Sequence, residues 1–285
     1  MDSEVSEGRT RRLLLIAGLA SHGPGEHEFA AGLLLLKRCL AAVPALEVEV
    51  HEGGWVGHDT QLDSADAIVI YSDGDAAHPA VVDGRRARLD GLMRRGIGLG
   101  CLHYAVAVEA GDPGASLLSW MGGYYEDGYS CNPMWEARFD SFPDHPINNG
   151  VRPFRMHDEW YFNIRFGPSA SVPNQPRGGT TRLEPILVAT PPNSVRRGPY
   201  VHPTGPYPHI IASSGRSETM AWAIERQDGG RGFGFTGGHF HANWGHDDMR
   251  RLVLNALVWL TGAAVPQGGV ASRVETAELE SVLPA

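Results

Sequence analysis

The feature that most constrains this chain is the alternation of short apolar runs with helix-like segments over its first hundred residues. Residues 12–18 read as a strand with a continuous apolar run from Leu13, 65–71 as another, continuous through Ile68-Val69-Ile70, and 97–103 as one that is rich in glycine. Between them lie a segment over 28–43 with Phe29, Leu33, Leu36 and Leu40 at helical spacing, a short strand-like stretch at 46–50, and a charged segment over 81–94 that stops at Gly96. Runs that are apolar at every position, rather than at alternate ones, suit strands buried on both faces. Strand and helix in alternation predict an α/β fold built on a doubly wound parallel sheet.

The middle of the chain reads differently. Residues 134–142 and 154–166 look like aromatic-rich strands with no helix between them, and 183–190 and 219–225 look like further strands. The stretches 167–182 and 191–215 are rich in proline and glycine and are expected to be loop, the second of them a lid or plain surface. We read 124–225 as an antiparallel, loop-rich elaboration of a single domain spanning 1–262. Residues 232–236 return to the core as a strand. The final helix is expected over 247–260, with Leu252, Ala256 and Trp259 on one face. Residues 1–10 are expected to fray, and 263–285 to form a loose acidic tail.

Composition narrows the functional classes. The 285 residues include 33 acidic and 24 basic side chains, a net charge of −9, with no Lys/Arg block. Such a chain is a poor partner for nucleic acid or an anionic membrane. Cys39, Cys101 and Cys131 form no CxxC pair, which argues against a disulfide scaffold or a Cys-rich zinc module. Arg11-Arg12 precede an apolar run of eight residues, too short to span a bilayer and better read as a buried first strand. A soluble, cytoplasmic protein is expected, with a homo-oligomer left open. The 13 histidines are an unusual supply of imidazole.

In an open parallel sheet, ligands bind beyond the carboxyl ends of the strands. Four segments place polar residues there. The first, Ser21-His22-Gly23-Pro24-Gly25-Glu26-His27-Glu28, is a tight loop with two histidines and no phosphate-binding spacing. The second is Gly100-Cys101-Leu102-His103-Tyr104. Alternation puts Cys101 and His103 on one face, with Cys101 as core packing and only His103 at the exit. The third, His157-Asp158-Glu159-Trp160-Tyr161, points its two carboxylates to opposite faces, so one serves structure and the other can serve the crevice. The fourth runs Thr236-Gly237-Gly238-His239-Phe240-His241-Ala242-Asn243-Trp244-Gly245-His246-Asp247-Asp248, where the two aspartates also suit the first turn of a helix.

Taken in order, these segments resemble the ThuA-like (trehalose-utilisation) family within the class I glutamine-amidotransferase-like, flavodoxin-like superfamily. The resemblance covers roughly residues 12–261 and includes Leu254-Asn255-Ala256-Leu257-Val258-Trp259. It implies a central parallel sheet flanked by helices. Class I amidotransferases need a cysteine at the turn from strand to helix, activated by a later histidine. Here that turn is at His103-Tyr104, with Cys101 inside the strand, so glutamine hydrolysis is not expected.

The residues left over point to a divalent ion such as Zn²⁺, Mn²⁺, Fe²⁺ or Ni²⁺, held by His22, His103, His239 and Glu159. Glu159, His27 and His103 are the candidate catalytic groups, with Glu159 or His27 moving a proton. Tyr104, Trp160, His241, Asn243 and Trp244 are the candidate sugar-binding surface. The resemblance implies a keto-sugar or glycoside as the small-molecule substrate, processed by hydrolysis, elimination or isomerisation. The competing class is a non-catalytic sugar-binding or regulatory module.

Overall fold

The computed structural model describes residues 9–82, 84–167, 182–202 and 205–283. Along the chain come β1 (Arg11–Ala17), α1 (Phe29–Leu40), β2 (Leu46–His51), β3 (Ala67–Tyr71), α2 (Arg85–Met93), β4 (Gly98–Leu102), α3 (Asp112–Met121) and β5 (Gly123–Tyr124). Then follow β6 (Met134–Phe139), β7 (Phe154–Glu159), β8 (Arg165–Phe166), β9 (Arg182–Ala189), α4 (Asn193–Arg196) and α5 (Pro208–Ala212). The last elements are β10 (Glu218–Glu225), β11 (Arg231–Phe235), α6 (Asp247–Leu260) and α7 (Thr276–Ser281).

Seven strands make the central sheet in the order β2-β1-β3-β4-β11-β10-β9. The pairs from β2 to β11 are parallel, while β10 runs antiparallel to both β11 and β9. This is a doubly wound α/β sheet of flavodoxin-like kind with an antiparallel extension. The apolar runs read from sequence are the parallel strands, and every residue of β3 and β4 is buried. The Gly-rich character of β4 has a packing cause. A Cβ on Gly98 would stand 2.3 Å from the Leu260 carbonyl oxygen, so the end of α6 can lie against the strand only because no side chain is there. Two apolar layers, one on each face, complete the core.

Several expectations need correction. Residues 182–225 do not all belong to a side elaboration, because β9 and β10 are strands of the central sheet. Their burial explains it: seven of the eight β10 residues are buried, as in an interior strand, while Pro185 is tolerated in β9 because β9 is an edge. What lies outside the sheet is the hairpin β6–β7 and the small pair β5–β8. Helix α3 was not anticipated, although Gly111-Asp112-Pro113 is a fair start signal. At α6 the cap is the His246 ring, which accepts from Met249 N, while Asp248 is taken by the Arg152 backbone and guanidinium.

The tail is not loose over its described part. Val270 is buried, and α7 packs on the turn His241–Gly245. The expected fraying of 1–10 and the loop at 167–182 fall mostly on residues outside those described, as do residues 203–204 of the 191–215 stretch. The rest of that stretch holds α4 and α5. No helix among the described residues is long and apolar enough to cross a membrane.

Candidate metal centre

The carboxyl ends of β1, β3, β4 and β11 open onto one cavity of about 380 Å³. Its lining includes His22, Glu26 and His27 after β1, Asp75 after β3, Tyr104 after β4, and His239 after β11. The hairpin adds Met134 and Glu159, and the chain beyond adds Tyr161, Val201 and His202.

Backbone pairing brings the distant pieces together. Glu26 and Phe240 form an isolated antiparallel bridge, and His27 N donates to His239 O at 2.9 Å. The loop after β1 is thereby zipped to the loop after β11. Gly238 sits at φ 102°, a conformation that favours glycine, and its carbonyl accepts from the Tyr71 hydroxyl. The buried Asp158 carboxylate accepts from Gly238 N at 2.8 Å and His239 N at 3.0 Å, which pins the end of β7 to the same loop. Its neighbour Glu159 then points into the cavity. The division of labour expected of the two carboxylates is what the strand delivers.

Four donor atoms converge. The Nε2 atoms of His27 and His103 are 3.0 Å apart, and His27 Nε2 is 3.0 Å from His239 Nδ1. Glu159 Oε2 lies 2.8 Å from His239 Nδ1 and 3.4 Å from His103 Nε2. All four residues are buried, and the four donor atoms lie within 4.8 Å of one another. His103 and His27 both adopt left-handed backbone, at φ 52° and 50°. His103 therefore leaves the strand at β4's last residue. The alternation that put it on the face of Cys101 does not extend to it, and Cys101 lies fully buried in the core.

Each imidazole has an outer partner. His103 Nδ1 donates to Thr236 O at 2.9 Å, which leaves a lone pair on the Nε2 of the neutral ring. His27 Nδ1 is 3.6 Å from Asp73 Oδ1, and His239 Nε2 is 3.7 Å from Glu26 Oε1. Neither of these two ring nitrogens makes a hydrogen bond among the described residues, though both are buried. Tyr161 OH stands 3.2 Å from His103 Nε2, and Asn132 Nδ2 donates to Glu159 Oε1 at 2.8 Å.

The electrostatics follow from burial and these contacts. Burial pushes His27 down to about 4. Burial opposes the charge of Glu159 too, but the His103 and His239 imidazoles beside it outweigh that cost and hold the carboxyl down at about 2. His239 is raised, because the Glu159 carboxylate outweighs the cost of burying its charge.

Not every expected residue is in this group. His22 is not among the four; it stacks on His27 with ring centroids 3.6 Å apart, and its Nδ1 is 3.8 Å from Asp73 Oδ1. His27, expected as a proton carrier, stands in its place. Tyr104 lines the cavity as expected.

Trp160, His241, Asn243 and Trp244 do not line it. Trp160 is fully buried, donates to Met156 O and packs edge-on against Phe139 and Phe235. Trp244 is fully buried beside Tyr71. His241 is turned to Leu279 O, and Asn243 donates to His157 O and Asp158. These side chains are core and scaffold: Trp160 follows β7 into the aromatic core, and the turn His241–Gly245 is held by Leu279, His157 and Asp158 away from the cavity. Asp73, Asp75, Asn132 and Tyr161 were missed. Of these only Asp73 and Asp75 carried a signal, as polar residues at the carboxyl end of a predicted strand.

Comparison with known proteins gives a consistent picture. The family model for ThuA, described as trehalose utilisation, matches residues 19–260. A ThuA-like protein from Bacteroides uniformis is similar in structure, with a TM-score of 0.62 and 14% identity over 91% of this chain and 95% of that one. Another, from Parabacteroides merdae, gives 0.56 and 16% identity over 94% of each chain. No curated protein matches the chain significantly.

Proposed function

The chain belongs to the ThuA (trehalose utilisation) family, and from that premise we propose that it is a metal-dependent enzyme of sugar metabolism. In this reading His27, His103, His239 and Glu159 hold one divalent ion at the sheet's carboxyl edge. The observation that carries the reading is the convergence of three imidazole nitrogens and one carboxylate oxygen, each imidazole with its far nitrogen directed to a carbonyl or carboxylate.

The donor set fits. For nitrogen and oxygen ligands about 2.0–2.1 Å from a tetrahedral Zn²⁺, neighbouring donors stand about 3.3 Å apart; four of the six donor pairs here stand 2.8 to 3.4 Å apart, and all lie within 4.8 Å. Protons alone serve the cluster poorly, since a neutral His27 ring has at most one proton at Nε2 and that atom faces two other nitrogens. The hydrogen bond from His103 Nδ1 to Thr236 O is of the kind that fixes a ligand tautomer in metal sites, and the carboxylates of Asp73 and Glu26 stand near the far nitrogens of the other two rings. His27, His103, His239 and Glu159 would hold such an ion, which would supply Lewis-acid polarisation of a carbonyl or a pair of hydroxyls.

The substrate we propose is a keto-sugar or related glycoside, converted by hydrolysis, elimination or isomerisation. The cavity volume suits a small sugar, and the family description supports the substrate class. Cys101 is buried inside β4, and burial pushes its thiol up, so amidotransferase chemistry has no support. Elemental analysis of the purified protein, with turnover of 3-keto-trehalose before and after chelation, tests the reading. One ion per chain and chelator-sensitive turnover are expected, and both should be lost in His103→Ala. Tight sugar binding without ion or turnover would identify a binding module instead.

A further inference from the structure

If the four buried donors hold an ion, none of them is free to take a proton from substrate. Their donor atoms are engaged, and the other oxygen of Glu159 already accepts from Asn132 Nδ2 at 2.8 Å. Another group in the cavity has to do that work, and a second carboxylate is placed for it. We propose that Asp75 is the proton-transferring base of this site, oriented by Tyr104. This assignment rests on the metal-dependent keto-sugar reading above.

Three observations support it. Asp75 lines the same cavity as the cluster, and its Oδ2 accepts a hydrogen bond from the Tyr104 hydroxyl at 2.9 Å. The Tyr104 ring stands 6.0 Å from that of His27, so one side chain separates the carboxylate from the ligand group. Asp75 also adopts φ 51°. Non-glycine residues with positive φ among the described residues are His27, Ala45, Asp75, His103 and Asn163. Two of these are the ligands His27 and His103, and Asp75 is a third at the same cavity. Backbone strain of this kind persists where the surroundings enforce it, and it concentrates at functional sites. Here the enforcing contact is Asp75 N donating to Ala107 O at 2.9 Å.

The electrostatic setting suits a base. Burial raises the Asp75 carboxyl above its ordinary value, and Asp127 and Glu109 add to the rise, while the Tyr104 hydroxyl and His202 pull it down. Glu26, by contrast, is 44% exposed and directed at His239. In the step proposed, the C–H bond next to the ketone breaks and its proton passes to an Asp75 oxygen. The C–H electron pair forms a carbon–carbon double bond, and the carbonyl π pair moves onto the ketone oxygen, giving an enediolate. No oxidant or second reactant is needed.

The test is hydrogen exchange at C2 of 3-keto-trehalose in D₂O, followed by proton NMR on the metal-analysed protein. Asparagine accepts left-handed backbone at least as readily as aspartate, so Asp75→Asn removes the charge without adding strain. Asp75→Asn is expected to lose at least about 100-fold in exchange rate with its ion content unchanged. Tyr104→Phe removes a hydrogen bond that favours the carboxylate, so the acidic limb of its pH profile should move to higher pH. A merely structural role for Tyr104 would leave that limb in place. Full exchange by Asp75→Asn overturns the proposal, and so does a wild type that holds its ion but exchanges nothing. A wild type that exchanges without any ion, and loses exchange in Asp75→Asn, would sink the metal reading while supporting Asp75.

Discussion

His27 and His239, 212 residues apart in the chain, are joined twice: His27 N donates to the His239 carbonyl at 2.9 Å, and their rings meet at 3.0 Å through Nε2 and Nδ1. The backbone bond sets the distance between the two loops, so the ring contact is built into the fold rather than left to rotamer choice. A site held this way is ordered before anything binds, which lowers the cost of binding.

The outer partners should matter nearly as much as the ligands. Asp73 faces His27 Nδ1 at 3.6 Å and is itself held by the Ser21 hydroxyl at 2.9 Å. Asp73→Asn should weaken Zn²⁺ affinity by roughly 10–100-fold while leaving the thermal melt of the apo protein close to wild type. Competition against a chelator of known affinity measures it.

Ion binding should displace a proton. Of the four donors, His27 and Glu159 are shifted down, so protons compete weakly for them near neutrality, while His239 is shifted up by the Glu159 carboxylate and competes for a proton to higher pH than an ordinary imidazole. Titrating Zn²⁺ calorimetrically near neutrality in buffers of different ionisation enthalpy should show proton release on binding, with affinity falling as the pH is lowered. No dependence on buffer would contradict the raised His239.

Acid should destabilise the apo protein in two windows. The folded His27 titrates at about 4 against an ordinary 6.5, so the unfolded chain binds more protons between those values and stability is lost as pH falls through them. Glu159, at about 2 against 4.5, acts in the same direction between those two values. The raised His239 acts oppositely, adding stability at low pH that is lost as pH rises through its folded value. His27→Asn, which tolerates the positive φ, should therefore flatten the fall in urea midpoint between pH 6.5 and 4 relative to wild type.

Trp160 should behave as core. It is fully buried between Phe139 and Phe235. Trp160→Ala should cost about 3–5 kcal/mol in chemical denaturation, and below its melting temperature the variant should still bind Zn²⁺. Lost sugar affinity with wild-type stability would instead return Trp160 to the cavity wall.

The parallel strands were legible because burial on both faces writes itself into the chain as uninterrupted apolar runs, such as Leu13–Ala17 and Ile68–Tyr71. The histidines at 103 and 239 were legible because a parallel sheet gathers its loops at one edge, so position along the chain implies a place in space. Which imidazoles meet was not, and His27 rather than His22 joined the cluster. Both stand in one eight-residue loop, and the choice was made by a backbone bridge to Phe240, a pairing that leaves no local pattern. Aromatic residues misled for a related reason: Trp160 and Trp244 have the composition of a sugar platform and the burial of a core, and burial depends on what packs against them.

The sequence by itself determined the parallel strands, the α/β class and the edge at which polar loops gather, because hydrophobic periodicity acts locally and adds up. Only the tertiary structure decided which imidazoles meet and which carboxylates stand beside them. Those depend on contacts between segments up to two hundred residues apart, whose energy is absent until the chain has closed.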